Sequence, residues 1–371
     1  MASYFIIVGE ASGDLHGSNL VKAILRKDPK AIIQAWGGDL MKAAGANISK
    51  HYSELAFMGF VEVIKHLGTI MKNLDRAKAE IVAFQPDTLI LIDYPGFNLR
   101  IARWARMKGL KIVYYISPQL WAWKEGRVKQ IRAFVDLLLV ILPFETAFYA
   151  KHGIVAHYVG HPLLDVIPKY PIEPNFRTQN QLDERPIIAL LPGSRKQEIQ
   201  AMLRVMLQMA PRFPSHQFVI AGAPSQSLSL YQDIIDKSGI STKIAVVENQ
   251  TYHLLQHAEA ALVTSGTATL ETALFEVPEI VCYRGNAISY WIAKKLIKIK
   301  YISLVNLILD APLVTELIQH DFNESRLEAE LNDILHNPVR IAALQSGYRE
   351  LKALLGESGA LERAAELIVN G

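Results

Sequence analysis

The chain has 371 residues, half of them apolar and a fifth charged, which excludes a disordered or fibrous polymer and suggests two domains of about 150–200 residues each. A net charge of +3 is too small a surplus to mark a nucleic-acid binder. The single cysteine, Cys282, rules out an intrachain disulfide and a four-thiolate zinc centre and is compatible with a reducing cytoplasm.

Tyr4 to Val8 reads as a first buried strand and not as a signal peptide, because no basic region precedes it. Gly9-Glu10-Ala11-Ser12-Gly13-Asp14-Leu15-His16-Gly17 then opens a helix, and its glycines would let a ligand approach backbone N–H groups. Glu10, Ser12 and His16 are candidate site residues there; the plainer reading is a strand-to-helix turn with Ser12 or Asp14 as N-cap. Further apolar runs follow at Ala31 to Trp36, Thr88 to Ile92, Lys111 to Ile116 and Leu137 to Leu142, separated by helical lengths, which is the pattern of parallel strands covered on both faces. Between them, Leu55 to Ile64, with Phe57, Met58, Phe60, Val61 and Ile64, is greasy enough to receive acyl chains or to pack in the core. Asp93 leaves the Thr88–Ile92 run, where partial burial would raise its pKa and suit it to accept a proton. A turn residue before Pro95 is the competing reading, with Asn98 five residues after Asp93. Gln119 and Trp121 follow the next run, and Trp121 with Trp123 could floor a sugar site or belong to the core.

The proline-rich, weakly periodic stretch 169–186 is the expected linker, separating a first domain at 1–168 from a second at 187–338. The second repeats the alternation at Ile187 to Leu191, Gln217 to Ala221, Lys243 to Val247, Ala260 to Val263 and Glu279 to Tyr283. Two doubly wound sheets of this kind would bind ligands at their strand ends, across a cleft if they face each other. Pro192-Gly193-Ser194-Arg195, followed by Glu198, and Ser265-Gly266-Thr267, followed by Glu271, each provide a small-residue turn into a helix, the parts that hold a phosphate; an ordinary capped turn is the alternative. The pattern contains no metal-ligand cluster and no P-loop, so no metal is expected. Tyr290 to Tyr301 mixes Lys294, Lys295, Lys298 and Lys300 with aromatics, the composition of a helix at an anionic interface or of a solvated face. The stretch from Phe213 to Gln232 is uncharged but interrupted by Pro214, His216, Pro224 and serines, so no transmembrane helix is expected.

Taken in order, Gly9-Glu10-Ala11-Ser12-Gly13-Asp14, Ser117-Pro118, Trp121-Ala122-Trp123, Leu142-Pro143-Phe144-Glu145, Gly160-His161-Pro162, Leu191 to Arg195, Ser265 to Glu271, Tyr283-Arg284, Ser303 to Asn306 and Glu316 to Gln319 resemble the lipid-A-disaccharide synthase family over most of the chain. The resemblance implies a GT-B fold, two Rossmann-like domains across a central cleft, with the C-terminal helices of 339–371 crossing back to the first domain. It implies inverting, metal-independent transfer of 2,3-diacylglucosamine from its UDP derivative to 2,3-diacylglucosamine 1-phosphate, giving a β-1,6-linked disaccharide monophosphate and UDP. On the same basis Asp93 is the base and Glu10 a further active-site polar group. Gly193, Ser194, Arg195, Glu198, Ser265, Gly266, Thr267, Glu271, Tyr283, Arg284 and Asn306 then form the nucleotide-sugar site. Ser12, His16, Asn98, Gln119 and Trp121 fall to the acceptor side, and the greasy and lysine-rich segments to the acyl chains and the cytoplasmic face of the inner membrane. A homodimer is compatible with all of this. Gly96 stands where many members carry aspartate, and Val305 where many carry proline. The rival readings are a UDP-N-acetylglucosamine 2-epimerase of the same fold and a non-catalytic nucleotide-sugar or lipid-binding module.

Overall fold

The computed structural model describes residues 2–55, 67–122, 125–285 and 300–371. It divides into two compact units, residues 1–165 with 356–371, and residues 166–355. The first holds seven parallel strands among its described residues: β1 Ser3–Ile7, β2 Ile32–Gly37, β3 Asn47–His51, β4 Thr88–Ile92, β5 Lys111–Tyr115, β6 Leu137–Val140 and β7 Ala156–Tyr158. Their order is β3-β2-β1-β4-β5-β6-β7. All five residues of β4 are buried, as a strand covered on both faces requires. Phe5, Ile7, Leu89 and Leu91 alternate along their strands and pack with Leu74 and Ile81 of the helix Leu67–Phe84 and Phe97 and Ile101 of the helix Pro95–Met107. Each such side chain, fully buried, contributes about 1.5–3 kcal/mol.

The second unit holds six parallel strands among its described residues: β8 Ile187–Leu191, β9 Gln217–Gly222, β10 Ala245–Glu248, β11 Ala258–Thr264, β12 Glu279–Tyr283 and β13 Thr315–Ile318, in the order β10-β9-β8-β11-β12-β13. Its core joins Ile187, Ala189, Leu191 and Val219 to Leu254 and Leu255. The stretch expected as a linker is folded in part: Phe176 is fully buried in this core and stacks on His257 with ring centroids 5.0 Å apart.

The chain returns to the first unit only at residue 356, so the helix Pro338–Leu355 stays with the second unit and the helix Ala360–Asn370 with the first. There the Asp165 carboxylate accepts from the N–H groups of Gly359 and Leu361. Arg26 and Lys27 pair with Glu362 and Glu366, and Arg363 Nε donates to the Val159 carbonyl at 2.8 Å. Gly160, with φ +90°, leaves the space that this guanidinium fills: a Cβ there would lie 2.5 Å from Arg363 Nη2.

Candidate active site

In each sheet the order of strands reverses once, at β1/β4 and at β8/β11, and ligands of open α/β sheets bind at the carboxyl ends of the strands flanking such a reversal. In the first unit Ile7 pairs with Leu91, so Glu10 and Asp93, which leave these strands, are neighbours. Asp93 and Tyr94 both have left-handed backbones, φ 43° and 49°, and Ile116, after β5, has φ 59°, a conformation that a branched side chain disfavours. Hydrogen bonds hold the strain. The Asp93 N–H donates to the carbonyls of Tyr115 (3.4 Å) and Ile116 (3.3 Å), while the Asp93 carbonyl accepts from Asn98 Nδ2 (2.8 Å) and from the Tyr114 hydroxyl (2.5 Å). The Asp93 side chain is accessible to solvent, yet the protein packed around it thins its hydration and pushes the carboxyl up to about 6, and the Glu10 charge adds in the same direction. Strain concentrated at strand ends around a carboxyl with a displaced pKa is the pattern that makes this a candidate active site.

Glu10 is the extended N-cap of the helix Ala11–Lys27, and its side chain does not cap it. Gly9 is required by the ring of Tyr94, whose Cγ would lie 2.3 Å from a Cβ there. Neither Ser12 nor Asp14 caps this helix: Ser12 is exposed on its first turn. The buried Asp14 instead accepts from the N–H groups of Gly38 (2.7 Å), Leu40 (3.1 Å) and Met41 (3.1 Å), capping the helix Asp39–Ala43. Burial pushes the His16 imidazole down to about 4, and it faces the buried His161, held at about 3 by burial and by His16. Asn98 is fully buried, with Nδ2 shared between the carbonyls of Ile92 and Asp93, so it fixes the Asp93 backbone. Gln119 is exposed. The half-buried Trp121 donates Nε1 to Glu145 Oε1 at 3.2 Å and meets Phe144 edge-on at 4.9 Å.

In the second unit Leu191 pairs with Val263, and the turns after β8 and β11 lie side by side. Gly193 has φ +107°, and a Cβ there would approach Glu198 Oε2 to 3.0 Å. Ser194 and Arg195 are exposed at the start of the helix Lys196–Met206, with Arg195 Nη1 3.0 Å from Glu198 Oε1. The Ser194 carbonyl accepts from Gln226 Nε2 (3.1 Å) and Ser225 Oγ (3.3 Å). Gly266 and Thr267 are exposed at the start of the helix Thr267–Leu274. Two helix starts with a guanidinium between neighbouring strand ends can take up a diphosphate. Glu271 is held by the Tyr252 hydroxyl at 2.7 Å, and burial pushes its carboxyl up.

With this geometry in view, the sequence model of the lipid-A-disaccharide synthetase family matches residues 4–368. The chain belongs to this family. It is 39% identical to the lipid-A-disaccharide synthase of Geobacter metallireducens over 369 residues, 98% of this chain and 96% of that one. It is 40% identical to that of Syntrophus aciditrophicus over 365 residues, 97% and 95% of the two. Among solved structures, the UDP-GlcNAc 2-epimerase of Neisseria meningitidis bound to UDP-GlcNAc superposes with a TM-score of 0.69 over the whole of both chains at 11% identity, a likeness of fold. The two Rossmann-like units expected of a GT-B member are present.

Several residues assigned to the nucleotide side of this family member turn their polar atoms inward. Asn306 donates Nδ2 to the Val314 carbonyl (2.9 Å) and Glu316 Oε1 (3.0 Å) and accepts at Oδ1 from the Val314 N–H (2.9 Å). Arg284 donates to the carbonyls of Gln319 and Phe322 and lies over the Phe322 ring. The carbonyl of Tyr283 accepts from the Gln319 N–H at 2.7 Å. These contacts tie the end of β12 and the segment 302–322 to one another. Sequence reasoning gave no role to Glu316, whose carboxylate also collects the N–H groups of Ile302 and Ser303 (2.9 Å for the latter); the Ile302 carbonyl in turn accepts from Ser265 Oγ at 2.8 Å. Phe57, Met58, Phe60, Val61, Ile64, Lys294, Lys295 and Lys298 lie outside the described residues. Lys300 is exposed and paired with Asp310 at 2.9 Å. Among the described residues no helix is long and apolar enough to cross a membrane.

Proposed function

We infer that the chain is an inverting glycosyltransferase of lipid A assembly. It joins UDP-2,3-diacylglucosamine and 2,3-diacylglucosamine 1-phosphate into the β-1,6-linked disaccharide 1-phosphate and releases UDP. In this reading Asp93 takes the proton of the acceptor 6-hydroxyl as its oxygen attacks the anomeric carbon from the face opposite the diphosphate. The new C–O bond forms as the bond to the diphosphate breaks, turning the α linkage of the donor into β. The proton leaves Asp93 for solvent afterwards. Charge on the departing UDP is met by the turns at Gly193 to Arg195 and Ser265 to Thr267, with no metal in the step. Glu271 is the group for the ribose hydroxyls, and Asn306, Arg284 and Tyr283 support that site from behind. Glu10 keeps a second negative charge beside Asp93 and thereby makes it a stronger base. The acyl chains are received by the segment containing Phe57 to Ile64. The enzyme works while resting peripherally on the cytoplasmic face of the inner membrane, with Lys294, Lys295 and Lys298 toward anionic headgroups.

Beyond family membership, the observation that carries this mechanism is the placement of an accessible Asp93 carboxyl at the β1/β4 reversal, on a left-handed backbone held by hydrogen bonds and with Glu10 alongside. Asp93→Asn is expected to abolish turnover while UDP affinity stays within about threefold, because proton transfer is lost and nucleotide contacts are not. A variant with near-normal turnover would remove Asp93 from the mechanism.

A further inference from the structure

The loop that follows β5 is tied at two points to one short helix. Ser117 Oγ is hydrogen-bonded to the Tyr149 hydroxyl, and Trp121 Nε1 donates to Glu145 Oε1 at 3.2 Å. Glu145 and Tyr149 stand four residues apart in the helix Glu145–Ala150 and so share a face. Ser117, Glu145 and Tyr149 are all buried, Glu145 to 1% exposure, and Glu145 Oε2 is anchored by the Leu142 N–H at 3.0 Å where β6 ends. A carboxyl is costly to bury; burial pushes this one up to about 7. A leucine would fill the volume without that cost and would lose only the hold on Trp121 and the strand end. The end of β5 and the first residue of this loop hold the proposed base, since the carbonyls of Tyr115 and Ile116 accept the Asp93 N–H and the Tyr114 hydroxyl donates to the Asp93 carbonyl.

We propose that Glu145 and Tyr149 form a clamp that positions the loop 116–121 for catalysis, presenting the Trp121 indole to the acceptor sugar and fixing the Asp93 backbone through Ile116. Neither clamp residue touches substrate. The part concerning Asp93 rests on the reading of that residue as the base; the part concerning Trp121 does not.

Four variants test this: Tyr149→Phe and Ser117→Ala, each of which breaks one bond of the clamp, their combination, and Trp121→Phe, which keeps an aromatic ring and removes the N–H. Amide hydrogen exchange of a peptide spanning residues 116–122 reports the loop without reference to activity. Tyr149→Phe and Ser117→Ala are each expected to speed that exchange and to lower kcat about tenfold, with the KM for the UDP-sugar unchanged. The double variant should be no worse than either single one, because both changes remove the same hydrogen bond, and Ser117 Oγ otherwise donates to the Pro118 carbonyl at 3.1 Å. Trp121→Phe should raise the acceptor KM several-fold. Unchanged kinetics despite faster exchange, or an equal rise in both KM values, would overturn the clamp. Near-normal turnover of Asp93→Asn would sink the base reading alone, and the acceptor KM of Trp121→Phe would still decide the rest.

Discussion

Asp93 bears two costs that an ordinary surface aspartate avoids, a left-handed backbone and a carboxyl that is harder to ionise than in water. Its folded pKa, about 6, lies above the unfolded 3.8, so folding favours the protonated form, and the penalty for ionising it develops as pH rises from 3.8 to about 6. A base must be deprotonated to act, so log kcat/KM should climb with unit slope below pH about 6 and level off above it. A flat profile from pH 5 to 8 would show that this carboxyl does not limit the reaction. Glu10→Gln, by removing the neighbouring negative charge, should move the bend to lower pH. The position of Asp93 was legible in the sequence because an acidic residue follows an all-apolar run. The roles of Asn98, Asn306 and Arg284 were not, because their partners are mostly backbone carbonyls and carboxylates that the fold alone brings to them.

At the scale of elements, the strands read from apolar runs are those flanked by neighbours on both sides, together with β10 at one edge. β3, β7 and β13 were missed, and all three are sheet edges with mixed burial along their length. An edge strand lacks one neighbour, and a continuous apolar run is not required of it. β12 was read correctly although it opens on Glu279, which is fully buried with no hydrogen-bond partner at either carboxylate oxygen among the described residues. Burial pushes this carboxyl well above its ordinary 4.5. Folding therefore favours its protonated form, and stability falls as pH rises above 4.5 and the unfolded chain ionises in preference. Glu279→Met should stabilise the protein by about 1–3 kcal/mol at pH 8 and by less at pH 4.5, read from urea unfolding at both pH values. A stabilisation independent of pH, or a loss at pH 8, would contradict this account of the residue.

For the whole molecule, two units of parallel sheet each carry one strand reversal, and the residues selected for catalysis and for diphosphate binding fall at those two reversals. The alternation of apolar runs was enough to expect this, since parallel strands buried on both faces allow few topologies. The segment 169–186 was harder to read: its prolines suggested a linker, whereas Phe176 anchors it in the second core, a contact with residues some 80 positions away that local composition does not reveal. The reaction inferred for the chain is transfer of a diacylglucosamine from UDP to a lipid acceptor. The most direct test is to incubate purified protein with UDP-2,3-diacylglucosamine, with and without 2,3-diacylglucosamine 1-phosphate, following UDP and the lipid product by mass spectrometry. UDP release is expected only when acceptor is present, in step with a disaccharide monophosphate. UDP binding with no disaccharide across several acyl-chain lengths, or conversion of UDP-N-acetylglucosamine alone into a soluble product, would contradict it.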